Sequence, residues 1–264
     1  MLLNDKIAVI FGAGGAVGGA VARRFAGEGA TVFLSGRHLT PVEKVAQEIK
    51  AAGGKAEAAQ VDALNEQEVN GYLEKADKQA GRIDGVFNAI GLQTAEYGQG
   101  APSTELPYEK FQLALTTYIG SQFLTARAAA RHMLPRGSGV ILTLSASPGK
   151  LAVPLVLAIS TVTAAIEGMT RSLAAEWGPK GIRVLGIRPE GMPETRTIQQ
   201  SFDVIAQAAG ISREQFAQSV RERTMLKRMP TLGETAAVAA FLVSDRASAM
   251  AGTIVNVSCG SVLD

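Results

Sequence analysis

Cysteine is almost absent from this 264-residue chain: Cys259 stands alone, so no internal disulfide can form. A lone thiol fits a reducing compartment, and a small apolar core role suits it better than that of a nucleophile. Histidine is nearly as scarce. His38 and His132 lie far apart in the chain, and no metal-ligand spacing surrounds either. Aromatic residues make up 5% of the chain, and no tyrosine follows Tyr118. Runs of like charge are missing too. The 26 basic and 24 acidic residues are interspersed, for a formal net charge of +2, which argues against a nucleic-acid partner. The longest apolar stretch, 151–159, contains Pro154 and falls far short of the ~20 residues a membrane span requires. The opening MLLNDK enters a strand pattern at once, without a basic and then apolar leader. Together these absences lead us to expect a cytoplasmic protein with no metal and no membrane partner.

What is present is an apolar-rich chain, 47% hydrophobic and 19% charged, long enough for one large core. Near-continuous apolar runs at 7–11, 31–35, 56–61, 83–90, 139–145, 182–187 and 252–257 read as strands, covered on both faces as parallel strands must be. Helical patterns fall between them, near 16–28, 41–52, 65–80, 107–134 and 164–177. Thr40-Pro41-Val42-Glu43 reads as a capping box opening the second helix, and Gly53-Gly54 as its end. The alternation predicts a single α/β domain over 1–264, with a three-layer, doubly wound parallel sheet of about seven strands. The segment 190–232 breaks the rhythm. It reads as two helices, near 197–208 and 212–223, inserted as a cover over the site.

Between the first strand and first helix lies Phe11-Gly12-Ala13-Gly14-Gly15-Ala16-Val17-Gly18-Gly19. Glycines there let the backbone turn tightly and approach a pyrophosphate, while the helix start offers free N–H groups and the positive end of its dipole. This context makes the turn a dinucleotide-binding signature rather than a chance glycine cluster. The second strand ends Ser35-Gly36-Arg37. An acid about here binds ribose hydroxyls in NAD-preferring enzymes. A guanidinium instead suits a 2′-phosphate, so NADP(H) is favoured over NAD(H).

An ordered series of motifs spans the chain: the turn 12–18, Val61-Asp62-Ala63, Asn88-Ala89-Ile90-Gly91, the strand GVILTLS, Arg188-Pro189-Glu190-Gly191, and a tail with Gly233-Glu234 and Val257-Ser258-Cys259-Gly260. In that order they resemble the short-chain dehydrogenase/reductases, over essentially the whole length. The turn departs from the family's Thr-Gly-x-x-x-Gly-x-Gly. Phe11 replaces the threonine and Ala16 the middle glycine, and the Gly12, Gly15, Gly18 spacing looks like the family's extended members. The resemblance implies a Rossmann fold whose cofactor contacts come from Gly12, Gly14, Gly15, Val17, Gly18, Arg37, Asp62, Ala63, Asn88, Ala89, Gly91 and Pro189. It also implies a homodimer or homotetramer, for which Ala126–Ala130, Ala164, Ala165 and Gly168 offer small residues suited to close helix contact.

The family's proton chemistry belongs to a serine, a tyrosine, a lysine four residues later and an asparagine. Aligned on the fifth strand, those positions hold Ala146, Ile159, Thr163 and Thr117. Sliding the register does not help, because residues 119–264 contain no tyrosine and the lysines beyond 149 are Lys150, Lys180 and Lys227. Isoleucine cannot transfer a proton, and losing a positioned general acid removes typically 10²–10⁴-fold in rate. Substitute acids to consider are Tyr97, Tyr118, Ser145, Ser147, Ser160, Thr163 and Glu190. The stretch 151–159 is either core packing or the wall of a pocket for an apolar small molecule. Three readings stay open. The chain is an NADP(H)-dependent oxidoreductase of divergent mechanism, acting for example on a conjugated double bond. Or it is a cofactor-binding partner without turnover, or a lyase or isomerase that dropped the hydride.

Overall fold

In the computed structural model, which describes residues 1–263, seven strands form one parallel sheet in the order β3-β2-β1-β4-β5-β6-β7. The strands are β1 (Ile7–Phe11), β2 (Thr31–Gly36), β3 (Lys55–Gln60), β4 (Gly85–Asn88), β5 (Gly139–Leu144), β6 (Ile182–Pro189) and β7 (Ile254–Val257). The helices are α1 (Ala16–Gly27), α2 (Leu39–Ala51), α3 (Glu66–Ala80), α4 (Tyr108–Ala114), α5 (Ser121–Met133), α6 (Leu157–Trp177), α7 (Arg196–Ala208), α8 (Arg213–Arg223) and α9 (Leu232–Val243).

Alternation along each strand sorts side chains onto two faces. Ala8, Ile10, Val32 and Leu34 join a core with α1, α2 and α9, whereas Val9, Phe11 and Phe33 join one with α3, α5 and α6. That is the three-layer, doubly wound arrangement read from the strand pattern. The order in which strands are added reverses between β1 and β4, and ligands bind at such a switch point, beyond the carboxyl ends of the strands.

Side-chain caps open α3, α7, α8 and α9. Asn65 accepts from the Gln67 and Glu68 amides at 3.1 and 3.3 Å to open α3, and Ser212 with Gln215 forms a capping box on α8. The capping box expected at Thr40 does not form. Helix α2 begins at Leu39 with His38 as an uncapped N-cap. Pro41 is then the third helical residue, where its missing N–H has no intrahelical partner to lose, and Thr40 lies inside the helix.

The helix expected over 107–134 is interrupted. Residues Leu115–Gly120 form a π turn between α4 and α5, a device frequent at functional sites. The Ala126–Ala130 stripe also differs from the expected contact surface. Its four alanines are buried against the sheet within this chain, while Ala164 and Ala165 are exposed on α6. Among the described residues no helix is long and apolar enough to cross a membrane.

Candidate functional site

The glycine turn is packed too closely for side chains. Gly12 has φ +75°, and a Cβ placed on it would sit 2.9 Å from the Ala89 backbone at the end of β4. A Cβ on Gly18 would sit 2.3 Å from the Gly12 carbonyl oxygen. The N-cap of α1 is Gly15, which brings no side chain to its first N–H groups. Gly15 and Ala16 are exposed at the crevice, so this helix start fits an anionic pyrophosphate.

Asn88 is locked beside the turn. Its amide nitrogen donates to Thr125 Oγ1 at 3.0 Å, and its side-chain oxygen accepts from the Ile90 amide at 2.8 Å. The pairing of Gly36 with Gln60 brings Arg37 and Asp62 to adjoining strand ends. Arg37 is exposed there. Asp62 accepts from the Leu64 amide at 3.0 Å, and Ala63 is buried behind it.

Beyond the turn opens a cavity of about 320 Å³, within the size range of small-molecule sites. Gly15, Val17, Ala89, Gly91 and Pro189 from the expected cofactor set are among its lining. Gly12, Gly14, Gly18 and Asn88 shape the turn from behind, and Arg37, Asp62 and Ala63 lie outside the cavity. Leu151, Val153, Val156 and Ile159 form one wall, so the 151–159 stretch is pocket lining as well as packing. Ile198, Phe202 and Ile205 of α7 and Phe216 and Val220 of α8 also line it. Phe202 and Phe216 meet edge to face, with centroids 5.1 Å apart. Helix α7 is fastened to residues 94–100. Thr94 Oγ1 donates to the Thr197 carbonyl at 3.1 Å, and the Gln99 amide donates to Ser201.

The four positions matched to the family's catalytic set hold no titrating group. Ala146 follows β5 and lines the cavity, as do Ile159 and Thr163. Thr163 is buried, and its hydroxyl donates to the Ile159 carbonyl of its own helix at 2.6 Å. Thr117 is buried within the π turn.

Of the substitute acids, Tyr97 and Tyr118 line the cavity and contact each other edge to face at 6.1 Å. Burial raises both phenol pKa values above their ordinary range. Glu190 is tied by the Gly191 amide at 3.0 Å and the Ser261 hydroxyl at 2.6 Å. Ser147 donates to the Pro189 carbonyl at 3.1 Å. Ser160 lies outside the cavity. His38 is exposed, and His132 faces Asp77 at 3.1 Å, far from the site's chemistry.

Sequence reasoning missed a buried polar network beneath the site. Ser145 Oγ donates to Glu167 Oε1 at 2.8 Å, and Arg188 grips the same carboxylate through Nε and Nη2 at 2.6 and 2.8 Å. Arg188 also reaches Asn256 Oδ1 at 2.8 Å. Burial pushes the Glu167 pKa up, but bonds from Arg188 and Ser145 outweigh it and leave the carboxyl below its ordinary value. The available signal was a pair of charges inside two apolar elements, Glu167 in α6 and Arg188 in β6.

The strand-order switch between β1 and β4, the glycine turn opening onto an uncapped helix start and the adjoining pocket make a site of the kind that nicotinamide-cofactor enzymes use. A family model described as enoyl-(acyl carrier protein) reductase matches residues 12–261. The chain belongs to the short-chain dehydrogenase/reductase family of nicotinamide-dependent oxidoreductases. It is 26% identical over 258 residues to gluconate 5-dehydrogenase of Gluconobacter oxydans, covering 98% of this chain and 95% of that protein. It is 28% identical over 268 residues to a probable 2,4-dienoyl-CoA reductase of Bacillus subtilis, covering 99% and 98%. The crystal structure of NAD⁺-bound xylitol dehydrogenase superposes with a TM-score of 0.92 at 27% identity, covering 98% of this chain and all of that one.

Proposed function

We propose that this protein is an NADP(H)-preferring reductase of apolar small molecules that carry a conjugated, activated double bond. The observation that carries the reading is the composition of the cavity. It runs from Gly15 and Val17 past Gly91 to walls of Leu151, Val153, Ile159, Phe202 and Phe216, with no tyrosine–lysine pair on α6. A conjugated carbonyl compound accepts hydride at its β-carbon, and its adduct is delocalised onto oxygen. It therefore demands less of a general acid than a plain ketone does. The match to the enoyl reductase family model and the likeness to a probable 2,4-dienoyl-CoA reductase support a double bond as the reacting group.

When bound, the nicotinamide cofactor supplies the hydride. The chain's own residues do the remaining work. The α1 N-terminus and the turn at Gly12, Gly14, Gly15 and Gly18 hold the pyrophosphate, Asp62 and Ala63 flank the adenine, and Asn88, Ala89, Gly91 and Pro189 border the nicotinamide half. Arg37 supports the phosphate preference, being exposed with no carboxylate paired to it among the described ion pairs, although xylitol dehydrogenase, similar in fold, is NAD⁺-bound. The 190–232 segment, with α7 and α8, serves as the substrate cover and excludes water. Exposed Ala164 and Ala165 support assembly into a homodimer or homotetramer through α6.

Calorimetric titration with NADPH and NADH, followed by NADPH oxidation with an activated alkene and with an unactivated ketone, tests the reading. Tight NADPH binding and consumption with the alkene alone is the expected result. Failure to bind either nucleotide would overturn it. Binding without consumption would instead favour a cofactor-binding partner, the reading that Thr163's internally spent hydroxyl supports.

A further inference from the structure

We infer that Tyr118 is the proton donor at the reaction centre, acting on the carbonyl oxygen of a conjugated substrate in place of the tyrosine absent at 159; this rests on the reductase reading above. Most hydroxyl protons around the cavity are already spent. Tyr97 Oη donates to Gln99 Oε1 at 2.5 Å, and Ser145 Oγ donates to Glu167 at 2.8 Å. Thr163 and Thr195 donate to backbone carbonyls at 2.6 and 3.0 Å.

Tyr118 is arranged the other way. Its oxygen accepts from the Leu92 amide at 3.1 Å, and no acceptor for its own proton occurs among the described residues. Thr197 and Ser201 also line the cavity, but aliphatic alcohols are far weaker acids than a phenol.

The phenol is also in the right place. Tyr118 packs in the same apolar cluster as Ile159, so its phenol comes from the α4–α5 side into the space that the α6 wall leaves without an acid. A Cβ on Gly91 would meet Tyr118 Oη at 3.4 Å, which puts the hydroxyl beside the strand-end segment that borders the cofactor crevice. The π turn at Leu115–Gly120 carries it there. Burial holds the phenol protonated, while the Leu92 N–H opposes that effect and is placed to receive the negative charge once the proton leaves.

Hydride, supplied by the reduced nicotinamide as two-electron donor, forms the new C–H bond at the β-carbon. The C=C π pair moves to the α-carbon–carbonyl-carbon position, and the C=O π pair moves to oxygen. The Tyr118 O–H bond breaks as the enol O–H forms. Tyr118 remains as phenolate held by the Leu92 N–H and regains a proton from water, and the enol ketonises in water to the saturated carbonyl product.

The test uses benzylideneacetone as probe, with the full chain and NADP⁺. Raman difference spectroscopy of its carbonyl stretch reports the hydrogen bond without turnover. The wild type should lower that frequency. Tyr118→Phe, which keeps the ring against Tyr97, should abolish the shift, and Tyr97→Phe should retain it. With NADPH, Tyr118→Phe should cut kcat by about 10²-fold, the low end for a general acid because the conjugated adduct is already delocalised, with little change in KM. An unshifted carbonyl in the wild type, or an unchanged shift and rate in Tyr118→Phe, would overturn the proposal. A shift lost in Tyr118→Phe without NADPH oxidation by the wild type would uphold the donor and sink the reductase reading alone. Incorporating 3-fluorotyrosine at 118 guards against a misfolded variant, since a more acidic phenol of the same shape should enlarge the shift, and no change there would count against the proposal.

Discussion

Glu167 on α6 and Arg188 on β6 form a bidentate ion pair with side chains only 4% and 2% exposed. The pair sits where the carboxyl ends of β5 and β6 meet the wall helix. Ser145 donates into the same carboxylate at 2.8 Å, so the network ties β5, β6 and α6 together beneath the cavity floor. Such a pair does not stabilise greatly over an apolar alternative, but breaking it strands a buried charge at a cost of about 3–5 kcal/mol.

Glu167→Gln should therefore lower Tm by on the order of 10 °C at neutral pH, read by thermal melts. The pH dependence has a definite sign. Glu167's folded pKa lies below its ordinary value, so its contribution is full above the unfolded-state pKa and is lost as pH falls through the folded one. The gap in stability between wild type and variant should be constant near pH 7 and narrow in acid. A gap that widened in acid would contradict the pairing.

Arg37 is the candidate discriminator between the two nicotinamide cofactors. Hydrogen bonds to a charged group contribute about 1.5–3 kcal/mol. Arg37→Ala should thus weaken NADPH binding roughly 10- to 150-fold by calorimetry and leave NADH nearly unchanged. An equal loss for both nucleotides would mean that Arg37 acts on something other than a 2′-phosphate.

The glycine turn separates steric need from mere composition. A Cβ at Gly18 lands 2.3 Å from one backbone oxygen, whereas at Gly15 its nearest neighbour is 3.3 Å away and the site is exposed. Gly18→Ala must move the turn itself and should cost about 1–3 kcal/mol or more along with most nucleotide affinity. Gly15→Ala should be far milder in both melting and titration.

The legible parts of this molecule were those governed by short-range rules. Continuous apolar runs such as 7–11 and 182–187 could only be strands covered on both faces, and Gly12 with Gly18 could only be a tight turn, because both follow from local sterics and burial. Thr40 misled because a capping pattern does not say whether a helix can begin two residues earlier, and Pro41 tolerates either start. The Ser145–Glu167–Arg188 network was invisible for a different reason. Its members are 22 and 21 positions apart in sequence, and the charges become a pair only when α6 packs on β6. Tyr97 and Tyr118 could be named as candidates, but choosing between their protons required knowing that one meets Gln99 while the other meets an N–H.

The proposed divergence of the site predicts that the missing chemistry can be put back. Residues 159 and 163 both line the cavity, one helical turn apart on the same face of α6, and Ala146 lines it from the end of β5. Ile159→Tyr alone should do little. A phenol set into that apolar wall would have neither a neighbouring cation nor an N–H like that of Leu92 to receive the negative charge once its proton leaves. Thr163→Lys supplies the cation. Its side chain must leave along the cavity, because a Cβ placed on Gly149 would lie 3.0 Å from Thr163 Oγ1 and the space behind is closed. Ala146→Ser completes the set. The wild type should leave a plain ketone such as cyclohexanone untouched, and the triple variant should gain about 10²-fold or more in NADPH oxidation with it. A triple variant that folds, binds NADPH and still ignores the ketone would show that α6 does not present 159 and 163 to the reacting atoms, and the divergent-site reading would have to be rebuilt from a different register.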